Sequence, residues 1–114
     1  SFVMVGHISV PQVVGDNTPA SLSQMMVSNV LREQLGYQGI VITDAMNMGA
    51  VTGSYTADQA AVMAVNAGVD MILAPSDYET AYNGLLQAVK DGTITEERIN
   101  ESVVRIVKVK LQMQ

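Results

Sequence analysis

Apolar positions in this chain fall into two habits: short unbroken runs, and longer stretches where they recur every three or four residues. Phe2 to Val10 is apolar and β-branched and is closed by Pro11, which predicts a buried strand. Gln12 to Ala20, with Gly15, Asp16, Asn17 and Pro19, reads as a loop. Leu22, Met25, Met26, Val30 and Leu31 then recur at helical spacing, with Ser21-x-x-Gln24 as a capping box and Gly36 as the C-terminal glycine. Gly39 to Thr43 is a second apolar strand that ends at Asp44. Thr56-x-x-Gln59 opens a helix that runs to Ala67 and stops at Gly68. Val69 to Ala74 predicts a third strand, ended by Pro75. Ser76-x-x-Glu79 caps a helix to about Lys90, and Thr95 starts a last one with Ile99, Val103, Ile106 and Val107 on one face. Glu96 and Glu97 near its start and Lys108 and Lys110 near its end complement the helix dipole.

The order is β-α-β-α-β-α-α, with strands about 30 residues apart, so the fold class is α/β with right-handed crossovers and a parallel sheet. All three strands read as continuous apolar runs, as strands covered on both faces do. The helix around Ala60 to Val65 is apolar on more than one side, which calls for a larger barrel or an oligomer to cover it. The chain starts on a strand already under way, which reads as truncation. Residues 1–114 form one domain at most.

Composition narrows the function classes. The net charge is −5, and only Arg32 among the first 89 residues is basic, so nucleic acid is not an expected partner. There is no cysteine, which removes disulfides, thiol catalysis and Cys-based zinc sites. No apolar run reaches the roughly 18 residues needed to span a bilayer. The eight methionines read first as flexible core filler and second as pocket lining.

In parallel α/β folds reactive groups gather at the C-terminal ends of strands. Here those ends offer His7 and Ser9, then Thr43 and Asp44, then Ser76 and Asp77. Asp44 directly follows a rigid apolar strand, where a carboxylate can attack an anomeric carbon, act as a base, or simply cap the Met-Asn-Met-Gly turn as an Asx residue. His7 is the sole histidine, and on an apolar strand it reads as a ligand contact or as a hydrogen-bonded core residue. Asp77 doubles as a first-turn helix acid, and Asp70 reads as structural. No phosphate loop, nucleophile elbow or metal cluster is present, so neither cofactor nor metal is expected.

The segment Gly39-Ile-Val-Ile-Thr-Asp44-Ala-Met-Asn-Met-Gly49-Ala50 resembles the nucleophile motif of glycoside hydrolase family 3. Val3-Met-Val-Gly-His-Ile-Ser, Pro19-Ala-Ser-Leu-Ser with Leu31-Arg-x-x-Leu-Gly-Tyr, and Gln59-Ala-Ala-Val-x-Ala-Val-Asn-Ala-Gly-Val-Asp-Met-Ile-Leu agree with that family in order and spacing. The tail from Gly92 to Ile106 is similar to its closing helix. The resemblance implies a (β/α)₈ TIM barrel of which this chain is the C-terminal part, equivalent to the last three strands. It implies Asp44 as nucleophile of a retaining mechanism through a glycosyl-enzyme intermediate. Ala45 and Met46 resemble the β-N-acetylglucosaminidase branch, where many β-glucosidase relatives carry Trp, so the implied partner is a β-linked N-acetylglucosamine-containing glycan.

Met46 and Met48 would then flank the nucleophile and line the sugar subsite, or pack in the core; His7 is the third substrate-binding candidate. That branch's general acid is a histidine on a Lys-His-Phe-Pro-Gly-His-Gly-type loop N-terminal to everything seen here. His7 does not match it, so the acid role is not transferred and the chain alone is expected to be inactive. The competing readings are a standalone α/β interaction module without catalysis, or a β-glucosidase-type member of the family. In either case raw sheet edges predict a homo-oligomer.

Overall fold

The computed structural model describes residues 2–7, 18–47, 53, 55–73, 75 and 77–112. Strand β1 is Phe2–Val5 and strand β2 is Ile40–Thr43. They pair parallel, in the register Phe2 with Ile40 through Val5 with Thr43. Between them lie a 3₁₀ turn, Ala20–Leu22, and helix α1, Met25–Gln34. Three helices follow β2: α2 (Ala57–Ala67), α3 (Tyr78–Asp91) and α4 (Glu96–Gln112). The architecture is α/β with parallel pairing, as the spacing of the apolar runs predicts.

Among the described residues the third predicted strand is reduced to a single parallel bridge, Ile42 with Met71, and its last residue, Ala74, lies outside them. The hydrogen bonds explain why. The amides of Asp70 and Met71 both converge on the carbonyl of Val41, at 2.9 and 3.1 Å. The amide of Leu73 then goes to the Thr43 hydroxyl at 3.1 Å instead of a backbone carbonyl. A regular ladder needs one amide per alternate carbonyl, and this segment spends its donors otherwise. It still runs beside β2, with Thr43 N–H donating to Met71 O at 3.1 Å.

The strands also differ in cover. In β2 Ile40, Val41 and Thr43 are buried, as a strand covered on both faces should be. In β1 the alternation is half-buried against exposed, with Phe2 53% and Met4 56% accessible. The expectation that all strands are covered on both faces therefore fails at β1, which has β2 as its one neighbour among the described residues.

Local chemistry sets the helix ends. Thr56 and Gln59 form the predicted capping box of α2, and Gly68 ends it at φ 119°, a left-handed conformation that glycine adopts without Cβ strain. Two predicted caps are corrected. Ser21 does not cap α1: it is buried in the 3₁₀ turn, and it is the Ser23 hydroxyl that takes the amide of Met26, at 3.3 Å. The cap of α3 is Asp77, whose carboxylate accepts from the Thr80 amide at 3.1 Å, while Ser76 lies outside the described residues. Helix α1 winds wide, the amide of Leu35 reaching back five residues to Val30 O at 3.0 Å.

The core joins Leu22 of the 3₁₀ turn, Val27 of α1, Val41 of β2, Val69, and the alanine face of α2 (Ala60, Ala64, Ala67), with Met46 closing it. Each fully buried Val or Leu contributes about 1.5–3 kcal/mol of transfer free energy. Helix α3 packs against α2, with its Gly84 close against Asp58. The Asp70 side chain is inaccessible to solvent and ties three elements together. Its carboxylate meets Arg32 at 2.6 Å and Arg105 at 2.9 Å, and accepts from the Ser102 hydroxyl at 2.6 Å and the Val41 amide at 3.0 Å.

Candidate functional site

At the C-terminal ends of β1 and β2 the chain is stitched together by backbone and one imidazole. The amide of Asp44 donates to Val5 O at 2.9 Å, which holds the start of the turn to the end of β1. The amide of Met46 donates to Leu73 O at 2.9 Å, which holds its far side to the third segment. Asp44 thus leaves β2 on a turn fastened from both sides.

The Asp44 carboxylate is half-buried, and its Oδ1 accepts from the amide of Ala45 at 2.8 Å. Oδ2 has no hydrogen-bond partner among the described residues. One oxygen is therefore oriented by the very next amide, not by the amide two residues on that an Asx turn would use.

His7 lies beside this turn, 9% exposed. Its Nε2 is 3.0 Å from Ala45 O and its Nδ1 is 2.7 Å from Ser21 Oγ. A carbonyl can only accept, so Nε2 carries a proton; in the neutral ring Nδ1 then accepts from the Ser21 hydroxyl. Ser21 is held in turn by its own amide, which donates to Gly6 O at 3.1 Å.

The other predicted site residues fall out differently. The side chain of Met46 is 2% exposed and packs in the core, so of its two readings the surroundings support core packing. Met48 and Ser9 lie outside the described residues. Asp77 is a helix cap, and its bonds to the Thr80 amide and hydroxyl hold its carboxyl below the usual carboxylate range. Ser21 escaped the sequence reading as a site residue because Ser-x-x-Gln before an apolar stretch is also a capping signature. Among the described residues no three His, Asp or Glu side chains converge on a metal position. No helix among them is long and apolar enough to cross a membrane.

A groove of about 670 Å³ lies between Gln38–Gly39 and α4, at the end of β2 opposite Asp44. Arg105 and Lys108 share it with Glu97 and Glu101, so it presents no single charge to a ligand.

The glycosyl hydrolase family 3 N terminal domain matches residues 1–109. A beta-N-acetylglucosaminidase/beta-glucosidase of Cellulomonas fimi is 30% identical over 97% of this chain and 21% of its own length. Beta-hexosaminidase A of Pseudoalteromonas piscicida is 28% identical over 97% of this chain and 22% of its own. The solved structure of a glycoside hydrolase family 3 beta-N-acetylglucosaminidase from Paenibacillus superposes with a TM-score of 0.93 at 40% identity, covering 96% of this chain and 22% of that one. The chain thus spans about a fifth of the length of the relatives it matches. With matched residues running through almost the whole sequence, the chain belongs to glycosyl hydrolase family 3.

Proposed function

We propose that this chain is the nucleophile-bearing segment of a retaining exo-β-N-acetylglucosaminidase. It would supply the sixth, seventh and eighth strands of a (β/α)₈ barrel. The observation that carries the reading is the Asp44 carboxylate, set at the exit of β2 with one oxygen oriented by the Ala45 amide and the other unpartnered among the described residues. Attack by that oxygen on C1 of a terminal β-linked N-acetylhexosamine forms an ester to the sugar as the bond to the leaving oxygen breaks. Water then attacks C1 from the face the leaving group vacated, opposite the ester, and expels the carboxylate, so that two inversions retain the configuration. The names of the relatives point to N-acetylglucosaminides as substrates, with glucosides as the competing class.

The acid that protonates the leaving oxygen belongs to parts of the barrel beyond this segment. Its loss alone costs about 10²- to 10⁴-fold, so the 114-residue chain by itself is inactive in this reading. The test is hydrolysis of an aryl N-acetyl-β-glucosaminide by the full-length protein, with and without Asp44→Asn. The substitution is expected to remove at least about 10³-fold of the rate. Full activity in that variant, or Asp44-dependent turnover by the isolated segment, would overturn the proposal. Faster turnover of an aryl glucoside would move the substrate class.

A further inference from the structure

Three consecutive peptide groups carry Asp44, and the structure pins the outer two. The group between Thr43 and Asp44 is held through its N–H by Val5 O at 2.9 Å. The group between Ala45 and Met46 is held at both ends: its N–H by Leu73 O at 2.9 Å, its C=O by His7 Nε2 at 3.0 Å. Between them lies the peptide whose N–H, that of Ala45, orients Asp44 Oδ1 at 2.8 Å. Of these clamps only His7 is a side chain. Its ring is itself locked, by Ser21 Oγ at 2.7 Å, and Ser21 is fastened to Gly6 O by its amide. Both ring nitrogens are committed and the residue is buried, so a sugar hydroxyl could reach it only by breaking one of these bonds.

We infer that His7 is a positioning residue: through the Ala45 carbonyl it fixes the turn that aims the Asp44 carboxylate, and it makes no contact with substrate. The inference rests on Asp44 being the nucleophile. Losing the clamp lets the central peptide rotate and the carboxylate drift, and a displacement of about 1 Å is enough to cost on the order of 10²-fold in rate.

The experiment compares His7→Leu, His7→Gln, Ser21→Ala and Asp44→Asn in the full-length protein, with an aryl N-acetyl-β-glucosaminide as substrate and thermal melting as the check on folding. His7→Leu is expected to lower kcat about 10- to 100-fold with KM changed less than about threefold. His7→Gln, whose amide can still donate to Ala45 O, is expected to recover about tenfold of that loss, which a purely structural role would not produce. If His7→Leu does not fold, Ser21→Ala carries the test, with a fall in kcat of about three- to tenfold at unchanged KM. A raised KM at unchanged kcat would make His7 a substrate ligand and overturn the inference. So would wild-type kcat in folded His7→Leu or in Ser21→Ala, or absence of recovery in folded His7→Gln. Asp44→Asn separates the two claims: if it is inactive while His7→Leu is fully active, only the role of His7 falls; if it is active, the nucleophile reading falls and this inference with it.

Discussion

The amide of Asp44 donates to the carbonyl of Val5 at 2.9 Å, so the candidate nucleophile leaves β2 in step with the last residue of β1. This anchor is backbone to backbone. It depends on the parallel register, Val5 opposite Thr43, and not on the carboxylate it positions.

Asp44→Asn should therefore separate stability from chemistry. The substitution leaves the Val5 bond in place, and an amide oxygen can still accept from Ala45. Its stability is expected to stay within about 0.5 kcal/mol of wild type, measured by denaturant unfolding, whatever the loss of turnover. A drop of several kcal/mol would mean that the carboxylate is part of the structural framework.

Asp70 is the opposite case. Burial opposes its ionisation, but the Ser102 hydroxyl, the Val41 amide, Arg105 and Arg32 outweigh it and hold the carboxyl below the ordinary aspartate range. Asp70→Ala leaves both arginines without their buried partner and is expected to cost about 3 kcal/mol. Because the folded-state value is lowered, this stabilisation is fully present above the unfolded pKa of about 3.9 and is lost as pH falls through the lower folded value. Unfolding curves between pH 2 and pH 7 should show a steeper acid loss in wild type than in Asp70→Asn. Parallel curves would contradict this.

Gly84 sets the separation of α2 and α3. A Cβ there would overlap the Asp58 Cβ and come within 3.0 Å of its Cα. Gly84→Ala gains about 1 kcal/mol of helix propensity but overpacks the helix contact at about 1–3 kcal/mol. Sterics should win, because the obstructing atoms belong to the backbone and the first side-chain carbon. A lowered melting temperature is expected; a raised one would show that the helices can part freely.

The uncovered face of β1 carries its own expectation. Phe2 and Met4 are more than half exposed on a strand paired on one side among the described residues. Such edges recruit other strands. The isolated segment should self-associate at micromolar concentration in light scattering, and Met4→Lys should shift it toward monomer. A monomeric wild-type segment would count against this.

The sequence carries the local chemistry plainly. Thr56 and Gln59 predicted their capping box because both partners lie within one turn. Where a second acceptor lies within two residues, the pattern picked the wrong one: Ser21 in place of Ser23 for α1, and Ser76 in place of Asp77 for α3. The third strand shrank to a bridge because Asp70 and Met71 share one carbonyl and Thr43 intercepts Leu73, contacts made across about 30 residues. The ring of His7 meets Ala45 and Ser21 by the same kind of distant approach, which spacing does not encode. The position of Asp44 at the exit of β2 was legible because a short apolar run ends at it. Met46 was ambiguous because a methionine beside an active carboxylate and one filling a core look alike in sequence.

The most direct test of the account is to trap the sugar on the protein. A fluorinated N-acetyl-β-glucosaminide with a good leaving group should form the covalent intermediate faster than it is hydrolysed. Peptide mass mapping of the full-length protein is then expected to find the added sugar on the peptide carrying Asp44, with none in Asp44→Asn. A label on another carboxylate, or turnover that inverts the anomeric configuration with no label at all, would contradict the assignment.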